Sequence, residues 1–337
     1  MRRERTLTKE FQANLRLYRS ELKGIAILWV VFFHAQLGLS GVLGFIQQIG
    51  YGGVDLFFFL SGFGLYHSLA KDSDPRRYLL RRARRLLPAY LPFCCIWLCV
   101  MLPLYRFGTV QSLRTAAGNL FMLGFFANAP AMINWYISAL ALSLLLAPLM
   151  AGFLSQSARQ LQSAACLIVG LFAMGLCFIG TEQYMAISRL PVFALGMAAA
   201  LPAFEDRKQK RFAPLAWLGF LVGMLLLLLS FAFFPEALNT YGMYWHPFLL
   251  IAPAICAGFC AFFHKVQKAA ALFAPLRVIG NASFEIFLFN AWIEVLGKRF
   301  HLAQTPLEWL LWSIGSVAVG CLYHEVVKAC SKRVKRA

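Results

Sequence analysis

Three groups of residues in this chain have the chemistry to move a proton or hold a phosphate. The first is Lys23 with His34, in the run Lys-Gly-Ile-Ala-Ile-Leu-Trp-Val-Val-Phe-Phe-His. On a helix, eleven steps of about 100° bring His34 to within roughly 20° of the face of Lys23, ~16 Å further along the axis. A cation and an imidazole thus share one stripe of an apolar helix. Ionisable groups inside a bilayer are costly and are candidates for function by default. Imidazole is the side chain suited to general-base work near neutral pH, although a histidine can also serve as a hydrogen bond between helices. The second is Asp55, in Tyr51-Gly-Gly-Val-Asp-Leu-Phe-Phe-Phe-Leu-Ser-Gly-Phe-Gly64. It is expected either to orient His34 from a neighbouring helix or to cap the start of its own. The third is Arg81, Arg82, Arg84 and Arg85, ahead of Leu87-Pro-Ala-Tyr90. A basic block can anchor topology, but near-exclusive use of Arg favours bidentate phosphate contacts.

Weaker candidates follow. Ser61, Gly62 and Gly64 are spaced for close helix packing, and Ser61 fits packing better than nucleophilic attack. Trp135 suits an interfacial belt. Arg189 either snorkels or faces a cavity. Glu285, Asn290 and Glu294 share one apolar run, where the acids should face protein. His246 follows Trp245 at the start of another run.

The elements that must position these residues are apolar helices. The chain has 337 residues, 60% of them hydrophobic and only 14% charged, with mean hydropathy +0.66. An all-α polytopic membrane protein follows, organised as a single membrane domain over residues 1–337. About ten transmembrane helices are expected, at 22–40, 52–70, 87–105, 134–152, 161–179, 185–202, 213–234, 245–264, 277–297 and 307–327. The stretch 111–130 has too short an apolar part to cross and is expected to be a re-entrant or outer-face element. With the N-terminus inside, 27 of the 32 Lys and Arg fall in or beside cytoplasmic segments. These include the basic N-terminus 1–21, the cluster Arg207, Lys208, Lys210 and Arg211, and the basic tail 328–337. A further crossing at 111–130 would turn that cluster outward, so ten spans with both termini cytoplasmic satisfy the positive-inside rule. The net charge of +18 therefore marks a membrane side rather than nucleic-acid binding. The nine cysteines lie in or beside apolar runs without a Cys-x-x-Cys pair, so core filling is expected, with no disulfide and no metal.

In order and spacing the motifs resemble acyltransferase family 3, the integral-membrane O-acyltransferases of bacteria. Lys23 and His34 are similar to the family's Arg (or Lys), ten residues, then His. The Gly53-Val-Asp-Leu-Phe-Phe-Phe-Leu-Ser-Gly-Phe run resembles its second-helix signature, and Arg81/Arg82 through Arg84/Arg85 its Arg-x-x-Arg motif. Trp135-Tyr-Ile-Ser138, Arg189-x-Pro-x-Phe-x-x-Gly-Met197 and Gly280-Asn-Ala-Ser-Phe-Glu-Ile-Phe-Leu-Phe-Asn290 resemble later motifs. The last usually ends in His, where this chain has Asn290. The resemblance implies transfer of an acyl group, most often acetyl, from cytosolic acyl-CoA to a hydroxyl of a cell-envelope carbohydrate at a bacterial inner membrane. It implies no metal and no nucleic acid. His34 would be the base, with Asp55 orienting it. Lys23 and the four arginines would serve the donor, Arg189 or a backbone donor would stabilise the oxyanion, and a transient acyl-histidine is the alternative to direct transfer. A transporter or flippase of a glycan or lipid-linked precursor is the alternative, since many spans with intramembrane charges suit that equally.

Overall fold

Apolar runs with helical periodicity fold here as helices, and the described residues contain no strand. The computed structural model describes residues 7–156, 158–202, 212–301 and 303–334. In chain order the helices are α1 Leu7–Leu17, α2 Arg19–His34, α3 Gly41–Gln48, α4 Gly52–Lys71, α5 Pro75–Tyr105, α6 Thr109–Leu120, α7 Trp135–Gln156, α8 Gln160–Leu176, α9 Tyr184–Ile187, α10 Leu190–Ala199, α11 Phe212–Phe233, α12 Pro235–Thr240, α13 Phe248–Lys265, α14 Ala274–Asn281, α15 Ser283–Arg299 and α16 Pro306–Val334. A 3₁₀ segment, Gln267–Phe273, precedes α14.

Six of these are long and apolar enough to cross a bilayer: α4, α5, α7, α11, α13 and α16. The bent pair α14 and α15 counts as a seventh if taken as one broken span. Each of the ten expected spans falls on helix, but α2, α8 and the α9–α10 pair are too short to qualify by length and composition alone. The protein is therefore a polytopic, all-helical membrane protein.

The chain weaves between two compact units. The first takes the described residues of Met1–Ala26, Tyr51–Pro75 and Leu146–Gly280; the second takes those of Ile27–Gly50, Arg76–Leu145 and Asn281–Ala337. In the first unit, α4 and α10 make the most extensive helix contact. A Cβ on Gly62 would strike the backbone oxygen of Phe193, and one on Gly196 would strike that of Phe59. The two helices are thus antiparallel, with a glycine from each against the other's backbone, the small-residue packing that membrane helices use. This confirms the packing role expected of Gly62. The start of α2 crosses α14 the same way, Gly24 against Leu276 and Gly280 against Ser20. On that crossing Arg277 donates from Nε and Nη2 to buried Glu21 at 2.9 and 2.7 Å. The basic N-terminus also contains α1, which buries Phe11 and Leu15. From it Gln12 donates to the carbonyls of Ala199 and Leu201 at 2.9 and 3.2 Å, satisfying the end of α10.

In the second unit the first expected span stops early. Helix α2 ends at His34 rather than continuing to 40. The physical reason lies downstream: Gly38 and Gly41 adopt φ of +64° and +62°, left-handed values that glycine tolerates and that turn the chain. Gln47 on α3 then donates its amide to the carbonyls of Phe32 and Ala35, capping α2 in place of further helix. Trp29 Nε1 donates to the Ile46 carbonyl at 2.9 Å, clamping α3 against α2. Val42, Leu43 and Ile46 are exposed along one side of α3.

The stretch 111–130 is helix α6 followed by tight turns to Ala131. One side chain organises it. Asn119 donates to the carbonyls of Thr115 and Ala131 at 2.9 and 3.0 Å and accepts from the Ile133 amide at 2.9 Å. Its own carbonyl accepts from Tyr90 at 2.6 Å. Non-helical backbone shielded from water needs such partners from protein. The cluster Arg207, Lys208, Lys210 and Arg211 lies outside the described residues, as does the side chain of Glu294.

Candidate active site

In the second unit, His34 meets Asn290. Asn290 lies two turns into α15 and is 3% exposed. The His34 Nδ1 to Asn290 Oδ1 distance is 2.6 Å. An amide oxygen can only accept, so Nδ1 carries the proton and the imidazole lone pair is on Nε2. A tautomer fixed this way is what a general base acting through Nε2 requires. The Phe33 ring lies 5.1 Å from the imidazole, centroid to centroid. Immediately beyond the end of α2 is a cavity of about 270 Å³, bordered by Phe33 and Ala35 on either side of His34 in sequence.

Other expected residues fall on the same helices. Glu285 on α15 accepts from His324 Nδ1 of α16 at 3.0 Å, so this acid does face protein. Trp135 opens α7 half-buried, edge-on to Tyr136, whose ring packs 4.5 Å from Phe287 of α15. Ser138, in the same motif, accepts from the Phe125 amide at 3.2 Å and fixes the turns after α6. The arginine block occupies the second and third turns of α5. Helical spacing divides it. Arg81, Arg84 and Arg85 are exposed, whereas Arg82 is half-buried with its guanidinium over the Tyr78 ring at 5.5 Å.

In the first unit, Asp55 is 2% exposed and its Oδ1 accepts from Arg189 Nη1 at 3.2 Å. It sits in the first turn of α4 and makes no side-chain cap, so the capping alternative is set aside for this ion pair. Arg189 occupies the N-cap of α10, where a cation is poorly placed against the helix dipole. The Asp55 carboxylate and the Trp245 ring, 5.0 Å from the guanidinium, compensate. Tyr51 stacks on Tyr244 at 3.8 Å. Among the described residues, Asp55 Oδ2 and Trp245 Nε1 are buried without a hydrogen-bond partner. The Tyr184 hydroxyl lies 2.7 Å from His246 Nε2 and 3.0 Å from the Tyr241 carbonyl. His246 belongs to the loop before α13, where burial and then the Arg189 cation push it down to about 4. Ser61 is half-buried on α4, and Lys23 is half-buried on α2.

In the second unit the bonded partner of His34 Nδ1 is Asn290, and in the first unit that of Asp55 Oδ1 is Arg189. Sequence reasoning missed Gln47, Asn119, Glu21, Tyr184 and His324. Glu21 had a visible signal, an acid next to an apolar run; the amides had none.

The family model for an acyltransferase domain, acyltransferase family 3, matches residues 21–325. No curated protein and no solved structure matches. The matched region takes in every residue of the candidate site, and the chain belongs to acyltransferase family 3.

Proposed function

We propose that the protein transfers an acyl group, acetyl in the simplest case, from cytosolic acyl-CoA to a hydroxyl of an envelope carbohydrate at a bacterial inner membrane. In this reading the chain crosses ten times with both termini cytoplasmic, and α2, α8, α9–α10 and α14–α15 supply the crossings that length alone does not identify. Arg81, Arg84 and Arg85 offer planar, permanently charged forks to the nucleotide phosphates. Lys23 lies in the second turn of α2, the helix that ends in His34.

His34 Nε2 takes the proton of the acceptor hydroxyl as its oxygen attacks the thioester carbonyl. The carbon–sulfur bond then breaks, and the imidazolium returns the proton to the departing thiolate. The products are an ester and free CoA. Asn290 holds the tautomer, the role assigned to Asp55 on sequence grounds. Arg189 pairs with Asp55 within the first unit, and we assign neither of them a proton-transfer step.

The single supporting observation is the 2.6 Å bond from His34 Nδ1 to Asn290 Oδ1, which leaves the base function to Nε2. The test is transfer of label from radiolabelled acetyl-CoA to a glycan panel by purified protein. His34→Ala and His34→Gln should both lose roughly 10²–10⁴-fold in rate, the scale of a missing general base. Equal transfer by wild type and His34→Ala would rule out this assignment.

A further inference from the structure

Within the first unit, Arg16, Arg19, His67 and Lys71 gather at the end of α4, apart from the residues of the candidate site. Arg16 lies in the last turn of α1, and its Nη2 is 3.3 Å from His67 Nε2. A guanidinium can only donate, so Nε2 accepts and the imidazole is neutral. Arg19 begins α2, and its guanidinium lies against α4 at Gly64. A Cβ on Gly64 would strike Cζ and both Nη atoms of Arg19, so the missing side chain makes the seat. Lys71, exposed, is the last residue of α4. The charges of Arg16, Arg19 and Lys71 all act on the His67 ring.

These cations outnumber the acids beside them. Among the described residues, neither Arg16 nor Lys71 makes an ion pair with a carboxylate. Glu21 is taken by Arg277. Asp72, next to Lys71, accepts from the Asp74 amide through Oδ1 at 3.2 Å. Cations that only mark a membrane side need no fixed geometry. Here one guanidinium is seated on a glycine and another on an imidazole. Position narrows the ligand further. Helix α4 is long and apolar enough to cross a bilayer, so Lys71 stands where hydrocarbon gives way to headgroups. Leu17, beside Arg16, is 62% exposed and gives the patch an apolar border.

We propose that Arg16, Arg19 and Lys71 form a site for the phosphate of an anionic phospholipid headgroup. The two arginines offer forked donors to phosphate oxygens, and Lys71 adds a point charge. A soluble phosphate would meet the same cations, but the end of a spanning helix and the exposed Leu17 favour a lipid.

The test is native mass spectrometry of the full-length protein in a neutral detergent, titrated with dioleoyl phosphatidylglycerol or with zwitterionic dioleoyl phosphatidylcholine. Wild type should bind the anionic lipid roughly tenfold more tightly or better. Arg16→Gln with Lys71→Gln should weaken that binding roughly tenfold or more, since each cation at a membrane surface contributes about fivefold. Both side chains are exposed, so the thermal midpoint in lipid-free detergent should stay the same. Lys332→Gln with Arg333→Gln removes equal charge from the exposed end of α16 and should leave binding unchanged. Equal weakening by both pairs would reduce the effect to net charge and overturn the site. Binding unaffected by the first pair, no binding by wild type, or equal binding of the two lipids would overturn it as well. Displacement of the lipid by millimolar inorganic phosphate would reassign the patch to a soluble phosphate.

Discussion

His34 and His246 carry the same ring in opposite settings. In the second unit, His34 Nδ1 faces the amide oxygen of Asn290 at 2.6 Å. In the first unit, His246 lies against a tyrosine hydroxyl with the Arg189 cation acting on it, and burial pushes it down to about 4. The charges follow the same division. The first unit buries a complete ion pair, Asp55 with Arg189, 2% and 3% exposed on their side chains. The bond that orients His34 is neutral. A neutral pair can accept a proton without losing a partner, whereas a buried ion pair resists any change of protonation. On the proposed mechanism, the difference separates the region that would turn over from the one that would hold structure.

Breaking the ion pair should give the largest effect on stability. Asp55→Ala or Arg189→Ala alone leaves an uncompensated buried charge and should cost about 3–5 kcal/mol. Replacing both, as Asp55→Leu with Arg189→Met, removes both desolvation penalties and should recover most of that loss. Thermal unfolding in detergent measures all three. A double variant no more stable than the singles would mean that the charges matter through their packing, and the contrast with the neutral pair would fail.

Changing Asn290 probes the other side of the comparison. Asn290→Ala removes the acceptor from the half-buried Nδ1–H, a penalty of about 1–3 kcal/mol, or roughly ten- to hundredfold if it falls on the rate. We expect that loss in kcat, with KM for acetyl-CoA unchanged and the thermal midpoint nearly so. A loss confined to stability would make the bond a structural link between α2 and α15 and nothing more.

The sequence reading located these residues; the structure adds the partners of His34 Nδ1 and Asp55 Oδ1. Composition and run length identify a polytopic helical protein because a bilayer demands ~20 apolar residues per crossing. The chemical types of His34, Asp55 and Arg189 stand out because ionisable groups are conspicuous in apolar runs. Partners are another matter. Asn290 follows His34 by 256 positions, and Arg189 follows Asp55 by 134. No periodicity links such positions. The early end of α2 was hidden for a similar reason. Its cap is supplied by Gln47, an amide in an otherwise apolar helix, and local propensity carries no record of a bond to Phe32 and Ala35.

The smallest expected effect concerns His246 and is a matter of pH. Its folded value, about 4, lies below the ordinary 6.5. Between those limits the unfolded chain binds a proton that the folded chain refuses, so stability contributed at this position falls as pH drops from 6.5 towards 4. His246→Gln removes the titration while keeping a polar partner for Tyr184. The variant should start somewhat less stable at pH 7.5, having exchanged one hydrogen bond for a poorer one. It should then lose less than wild type on going to pH 5, because only the wild-type unfolded state gains a proton there. Thermal midpoints of both proteins at the two pH values decide it. Parallel losses would show that His246 titrates alike in both states, and would remove the distinction between the two histidines.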